Sequence, residues 1–236
     1  MKNDFNTCHT CEKEYLRELY GDWKLCPQCL GKEDAENAAK KSFEGEEHAR
    51  LLLKDTIPAR YATTITSHPS FNSELWGKVQ IWRPTDDKPW LLLIGESGAC
   101  KTRCAFLLLS EMVMKSVTAT TYNFSVARFA FVTAYDLHEA VTGQYSDDRD
   151  TKAKARALLD KSKSCELLLF DDFGKARNSP AYSAALFGIV DHRHAYNLPT
   201  IYTANSTPEQ LVAGMGEDMA GPLAGRIIEC SHTIIC

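Results

Sequence analysis

The feature that most constrains this chain is an octapeptide, GESGACKT at 95–102, placed between two apolar stretches. The run WLLLI before it has the length and composition of a buried strand, and RCAFLLLSEMVM after it reads as a helix. A glycine-bearing loop between a strand and a helix directs its backbone N–H groups, and the open helix N-terminus, toward one point. This context predicts a phosphate-binding loop in an α/β protein.

The loop residues divide into two that act directly and others that line the ligand. Lys101 is expected to reach the terminal phosphates of ATP, and the Thr102 hydroxyl is expected to hold Mg²⁺. The expected nucleotide-binding set is Gly95, Glu96, Ser97, Gly98, Ala99, Cys100, Lys101, Thr102 and Arg103.

One position departs from the usual pattern G-x-x-x-x-G-K-[ST], because Cys100 stands where glycine is expected. At positive φ its Cβ would cost about 1–2 kcal/mol. We expect nucleotide binding to survive this change. Two alternatives remain for the thiol: a small inert replacement, which we favour, or a reactive group whose pKa is lowered by Lys101 and the helix N-terminus.

A second apolar run, ELLLFDDFG at 166–174, ends in Asp171 and Asp172. The carboxyl ends of parallel strands form the edge where open α/β sheets bind ligands. We expect Asp171 to hold the magnesium shell, and Asp172 to activate the attacking water. Because aspartate is one methylene shorter than glutamate, we expect slow ATP turnover.

A third run, PTIYTANSTPEQL at 199–211, delivers Asn205 to the end of its strand. An amide at this place, between the two preceding strand ends, can orient water beside the γ-phosphate. The alternative is that Asn205 caps the helix that begins at TPEQL. The order of the three motifs favours the functional interpretation.

The organisation of the chain indicates a parallel sheet covered by helices on both faces. We predict an exposed loop over residues 142–152, which offer almost nothing apolar to bury. The candidate strands are 90–95, 127–133, 166–172, 199–205 and 226–235.

Together, GESGACKT, LLLFDDFGKA, VDHRHAYNLPTIYTANS and LAGRIIE resemble the AAA+ ATPase core of bacterial replicative-helicase loaders of the DnaC/DnaI type, with IstB-type transposition helpers as close relatives. The resemblance covers residues 57–236. It implies an α/β P-loop NTPase core with a five-stranded, mostly parallel sheet and no helical lid.

The same resemblance implies a role for an arginine near the end of the core. Arg226 matches the residue that reaches the γ-phosphate of a neighbouring subunit, so self-association on nucleotide binding is expected. The alternative is a surface ion pair at a strand start. Arg193 matches a family position to which we assign a supporting role.

Two C-x-x-C pairs, separated by 14 residues, precede this core. Their spacing is typical of a structural, zinc-ribbon-like Zn²⁺ site with four thiolates, namely Cys8, Cys11, Cys26 and Cys29. The expected domains are a zinc module at 1–30, a charged helical linker at 31–56 and the ATPase at 57–236. Some loaders carry such a module against the helicase, and Tyr15, Leu16, Leu19, Tyr20 and Trp23 are either that contact surface or the module's own core.

Composition limits the partners of the chain. Its 236 residues are 44% hydrophobic, with no apolar run long enough for a membrane span, so we expect a cytoplasmic protein without a membrane partner. With a net charge of −4, any DNA contact must be local. The basic segment 149–164 is the candidate, the alternative being a solvated helix face; its basic residues are Arg149, Lys152, Lys154, Arg156, Lys161 and Lys163.

These features together predict an ATPase that binds a replicative helicase through its zinc module and helps to place it on single-stranded DNA. A transposition helper would instead have a transposase as partner and prefer duplex DNA. A third hypothesis is a nucleotide-binding adaptor, in which Cys100 and Asp172 have abolished hydrolysis.

Overall fold

The structure, a computed structural model, describes residues 5–16, 25, 27–118, 128–175, 179–206, 210 and 217–236. The chain forms two compact units, Met1–His48 and Ala49–Cys236. The boundary between them falls inside the segment predicted as a linker. No helix in the described ranges is long and apolar enough to cross a membrane.

The first unit contains a short hairpin and most of a long helix. Strands β1 (Phe5–Thr7) and β2 (Glu14–Leu16) pair antiparallel. Helix α1 (Pro27–Thr56) begins here, and its last turns belong to the second unit, where Ala49 and Leu53 are buried. The helix ends just before Pro58, as expected of a residue that has no backbone N–H and restricts the one before it.

The second unit alternates strands and helices as predicted. Its elements are α2 (Ala59–Ala62), α3 (Ser73–Val79), β3 (Trp90–Ile94), α4 (Lys101–Thr118), β4 (Phe129–Thr133), α5 (Ala134–Gly143), α6 (Arg149–Ser164), β5 (Leu167–Phe173), α7 (Pro180–Ala195), β6 (Thr200–Ala204), α8 (Glu217–Cys230) and β7 (Ser231–Ile235).

These strands form one five-stranded sheet in the order β4-β5-β6-β3-β7, and every pairing is parallel. Because side chains alternate along a strand, Leu91 and Leu93 of β3 enter one core and Trp90 and Leu92 enter the other. Helix α4 packs in the first core, whereas α7 and α8 pack in the second. The predicted α/β class and parallel sheet are confirmed.

Two sequence predictions about element bounds are wrong. The exposed loop expected at 142–152 is confined to 144–148, because Asp148 caps α6 through the Thr151 N–H and starts that helix early. The strand expected at 226–235 begins only at Ser231. Residues 226–230 complete α8, since Leu223 and Ile227 lie four residues apart on its buried face.

Candidate nucleotide site and cysteine cluster

The three predicted motifs meet at the carboxyl edge of the sheet. Because β6 lies between β3 and β5, Asn205 follows the strand between the loop at 95–102 and the Asp171–Asp172 pair. A cavity of about 430 Å³ opens at this edge. Its lining consists of Arg60, Tyr61, Ser70, Ser97, Gly98, Ala99, Cys100, Lys101, Thr102, Arg103, Asp171, Asp172, Lys175 and Asn205.

Lys101 begins helix α4 and is held by the phosphate loop itself. Its Nζ donates to the backbone carbonyls of Gly95, at 2.8 Å, and Glu96, at 2.7 Å. Burial lowers the pKa of Lys101. Gly95 must lack a side chain, because an added Cβ would lie 2.8 Å from the carbonyl oxygen of Cys236. The carbonyls of Gly95 and Glu96 thus hold the Lys101 ammonium group at the cavity wall.

Asp171 is the buried acid of the pair, with 6% of its surface exposed. Its Oδ1 accepts hydrogen bonds from the Thr102 hydroxyl, at 2.8 Å, and from the Thr203 hydroxyl. Burial raises the pKa of Asp171, and the two hydroxyls oppose that shift. A carboxylate beside a threonine hydroxyl is an oxygen-donor set that suits Mg²⁺.

Asp172 has a different environment from its neighbour. It lies at a register irregularity in β5, with φ at +56°, and its N–H donates to Thr203 Oγ1 at 3.0 Å. The bulge turns its side chain into the cavity, where one carboxylate oxygen lies 2.7 Å from Lys175 Nζ. The acid predicted to activate water is therefore paired with a cation.

Cys100 adopts the glycine conformation of the position that it occupies, with φ at +67°. Its thiol lies 3.5 Å from the backbone carbonyl of Ser70. A second thiol, that of Cys104, lies four residues further along the chain. Burial raises the pKa of Cys104 to about 12, so this thiol stays protonated and unreactive at neutral pH. The loop therefore carries the backbone strain that a side chain at this position implies.

Arg226 lies on helix α8, so the expectation of an ion pair at a strand start is wrong about the element. The ion pair itself is present: Arg226 Nη2 lies 2.9 Å from Asp191 Oδ1 on α7. The guanidinium also lies over the Phe187 ring, 5.1 Å from its centroid. Arg226 is not among the residues that line the cavity.

Arg193 is fully buried, and it lies at the opposite edge of the sheet, where β5 and β6 begin. Its guanidinium donates to Thr200 Oγ1 at 2.7 Å and to the carbonyls of Cys165 at 2.8 Å, Pro199 at 2.6 Å and Ser162 at 3.2 Å. Two of these carbonyls end helix α6, where the helix dipole favours a cation. This residue holds helix and strand ends together, away from the cavity.

Four lining residues were not among the predicted site residues: Arg60, Tyr61, Ser70 and Lys175. Tyr61 stacks on Phe106 of α4, with the ring centroids 4.9 Å apart. Arg103 lies 5.8 Å from the Tyr61 ring centroid. Of these four, only Lys175 could have been predicted from its place in the sequence, because it is a cation three residues after Asp172. The other three lie at the cavity because of long-range packing.

A second cavity, of about 160 Å³, adjoins the first and shares Ser70 and Arg103 with it. The other residues that line it are Thr63, Thr64, Ile65, His68 and Phe71. It therefore combines one apolar wall with several hydrogen-bonding groups.

In the first unit, Cys8, Cys11 and Cys29 bring their sulfur atoms within 4.8 Å of one another. Sulfur atoms that share one tetrahedral Zn²⁺ lie about 3.8 Å apart, given bonds of about 2.3 Å, so small shifts would let this set bind zinc. Cys8 and Cys11 lie in the hairpin turn, whereas Cys29 lies in the first turn of α1 rather than in a second strand turn. Cys26 lies outside the described residues, as do Leu19, Tyr20 and Trp23.

The basic segment 149–164 forms helix α6, which buries Ala155 and Ser162. Its basic side chains lie toward solvent, four exposed and two half-buried; the exposed ones are Arg149, Lys154, Arg156 and Lys161. The predicted alternative role of Asn205 as a helix cap concerns residues 207–209, which lie outside the described ranges.

The fold resembles those of several proteins of DNA replication. The structure of DnaI matches 79% of this chain and 93% of its own, with a TM-score of 0.53 and 19% identity. That of the DnaC helicase loader matches 75% of this chain and 99% of its own, with a TM-score of 0.50 and 19% identity. AMPPCP-bound DnaA from Aquifex aeolicus matches 69% of this chain, with a TM-score of 0.50 and 16% identity.

The chain spans only 44% of that DnaA structure. No family model and no curated protein matches it in sequence. The likeness is therefore one of fold. The second unit therefore has the same fold as the structures of DnaI and of the DnaC helicase loader.

Proposed function

We propose that this chain binds and slowly hydrolyses ATP, and that it acts as a loader that binds a replicative helicase and helps to place it on single-stranded DNA. The observation that carries the proposal is the meeting of Lys101, Thr102, Asp171, Asp172 and Asn205 around one cavity of the AAA+ fold. The likeness to DnaI and to the DnaC helicase loader supports the loader role.

In this proposal each side chain has one task in ATP hydrolysis. Lys101 binds the terminal phosphates, while Thr102 and Asp171 hold Mg²⁺, which supplies charge neutralisation at those phosphates. Asp172 takes a proton from the attacking water. The water oxygen bonds to the γ-phosphorus while the bond between that phosphorus and the β–γ bridging oxygen breaks, which releases ADP and phosphate. Asn205 orients the water. The nucleobase occupies the smaller cavity beside Phe71.

The remaining regions are assigned by the same proposal. Residues 1–30 form a zinc module that contacts the helicase, residues 31–56 link it to the ATPase of residues 57–236, and helix α6 follows single-stranded DNA with its basic face. Arg226 acts on the nucleotide of a neighbouring subunit in a nucleotide-dependent assembly. The protein works in the cytoplasm, with its helicase and DNA.

The test uses the full chain with the replicative helicase of its host and a single-stranded DNA circle. We expect helicase loading that requires ATP and is lost in Lys101→Ala and in a Lys152/Lys154/Arg156→Ala variant. The triple variant should bind single-stranded DNA more weakly, with a flatter salt dependence. A chain that binds no helicase and instead binds a transposase on duplex DNA would contradict the proposal.

The adaptor hypothesis keeps one specific observation in its favour, the pairing of Asp172 with Lys175 at 2.7 Å. An acid held by a cation is a weaker acceptor of the water proton. ATP binding with no turnover, even with helicase and DNA present, would establish the adaptor in place of the ATPase.

A further inference from the structure

The turn that follows β5 places a second lysine in the nucleotide cavity. The Lys175 N–H donates to the Asp172 carbonyl at 3.1 Å, and Gly174 has φ at +88°. A glycine with positive φ at the third position is what a type II turn requires. This tight turn folds the Lys175 side chain back over Asp172.

The resulting ion pair is well made but open to exchange. Lys175 Nζ lies 2.7 Å from Asp172 Oδ1, and the two side chains are 50% and 42% exposed. Partly exposed ion pairs are weak, so an anion of higher charge can displace Asp172 and bind Lys175. Both residues face the same cavity as Lys101.

The charge of the cavity is arranged for a polyanion. Among the described residues that line it, four are cations and two are carboxylates. Lys101 Nζ is already held by two loop carbonyls, whereas Lys175 is held by one surface carboxylate. Burial lowers the pKa of Lys101, and the charge of Lys175 acts in the same direction, whereas the charges of Cys236 and Asp172 oppose it.

We propose that Lys175 is a γ-phosphate-binding residue that distinguishes nucleoside triphosphate from diphosphate, exchanging Asp172 for the γ-phosphate when a triphosphate binds. This rests on the proposed nucleotide site and adds to it the residue that sets triphosphate selectivity. Exchange also leaves the Asp172 carboxylate facing the cavity without its cation. The partner of Lys175 therefore differs between the triphosphate-bound and the diphosphate-bound protein.

The test measures dissociation constants for Mg·AMPPCP and Mg·ADP by isothermal titration calorimetry on the full chain. Lys175→Ala should weaken AMPPCP binding about tenfold, the effect of losing one charged hydrogen bond, and change ADP binding less than twofold. Lys175→Arg should keep the selectivity. Asp172→Asn should tighten AMPPCP binding severalfold, and only while Lys175 is present.

Lys78→Ala is the matched control, because Lys78 pairs with Glu74 at the same 2.7 Å, is 53% exposed and does not line the cavity. It should change neither constant. Parallel losses for both nucleotides in Lys175→Ala, or no loss, would overturn the assignment while leaving the nucleotide site intact. A wild-type chain that binds neither nucleotide would overturn both.

Discussion

Arg226 and Asp191 join helices α8 and α7 through an ion pair of 2.9 Å, with the Arg226 guanidinium packed over Phe187. The arginine proposed to act on a neighbouring subunit is therefore bound within its own. To reach a γ-phosphate elsewhere, its guanidinium must leave the Asp191 carboxylate.

Weakening this pair should therefore favour the assembled, hydrolysing state. We expect Asp191→Asn to raise ATP turnover about threefold to tenfold at a fixed protein concentration, since a hydrogen bond to a charged group contributes about 1.5–3 kcal/mol and partial exposure reduces it. Arg226→Ala should lower assembly-stimulated turnover by about a thousandfold. Turnover measured against protein concentration checks both.

Arg128→Ala, which removes a 3.5 Å surface pair with Glu166, serves as the control and should leave turnover unchanged. If Asp191→Asn and Arg226→Ala both leave turnover unaltered while lowering stability, the pair is structural and Arg226 is no arginine finger.

The strain at Cys100 predicts a substitution that stabilises the protein. Glycine adopts φ near +67° without a Cβ penalty, so Cys100→Gly should raise the free energy of unfolding by about 1–2 kcal/mol. Urea denaturation measures the change. Cys104→Gly, in a buried turn of α4, should have the opposite sign, because it removes packing and adds backbone entropy. A loss of stability in Cys100→Gly would show that the thiol contact with Ser70 outweighs the strain.

Local patterns were enough to predict much of this architecture. The strands at Trp90 and Leu167 were foreseeable because both are continuous apolar runs followed by polar turns, and the site followed because β3, β5 and β6 end at one edge. The order of the strands along the chain does not determine their order in the sheet, but parallel crossover connections restrict the number of possible topologies.

The features that sequence missed depend on long-range contacts. From its sequence neighbours, Arg226 was predicted to lie in an apolar strand, whereas the burial of Ile227 places it on a helix. Its ion-pair partner Asp191 lies 35 residues earlier in the chain. Tyr61 lines the cavity and stacks on Phe106, a residue 45 positions later in the chain. Arg193 was expected to have a supporting role because of its motif, and its guanidinium donates to backbone carbonyls at the far edge of the sheet.

Arg193 should be essential for stability and dispensable for nucleotide affinity. Arg193→Met would leave several buried carbonyls without a donor, so we expect the free energy of unfolding to fall by about 3–5 kcal/mol. Arg193→Lys should not rescue it, because one ammonium cannot reproduce the planar fork. Urea denaturation checks this, with Arg128→Met, an exposed arginine, as the control. Loss of ATP affinity in a variant that keeps its stability would instead place Arg193 in the site.

The buried acid Asp171 predicts a pH dependence of stability. Burial raises its pKa, so the folded chain binds a proton there more tightly than the unfolded chain. Its contribution to the free energy of unfolding therefore falls as pH rises from the ordinary value of 3.8 through the raised one, and the penalty is complete above that. Asp171→Asn removes the charge and should stabilise the nucleotide-free protein at pH 7.

The same variant should lose the stabilisation that Mg·ATP gives, about 2.7 kcal/mol for a wild-type chain at a hundredfold excess over Kd. Urea denaturation between pH 4 and 7, with and without Mg·ATP, measures both effects. Asp160→Asn, an exposed acid on α6, should alter neither. Unchanged stabilisation by Mg·ATP in Asp171→Asn would remove Asp171 from the proposed magnesium site.

The cysteine cluster predicts one zinc ion per chain, with Cys26 as the fourth ligand. Because a tetrahedral thiolate site supplies much of the folding energy of so small a module, Cys8→Ser, Cys29→Ser and Cys26→Ser should each reduce bound zinc from one equivalent to near zero. Cys230→Ser, in the second unit, should retain the zinc. Metal analysis of the purified full chains decides this. Full zinc content in Cys8→Ser would refute the site, whereas zinc lost in Cys8→Ser but kept in Cys26→Ser would require a fourth ligand other than Cys26.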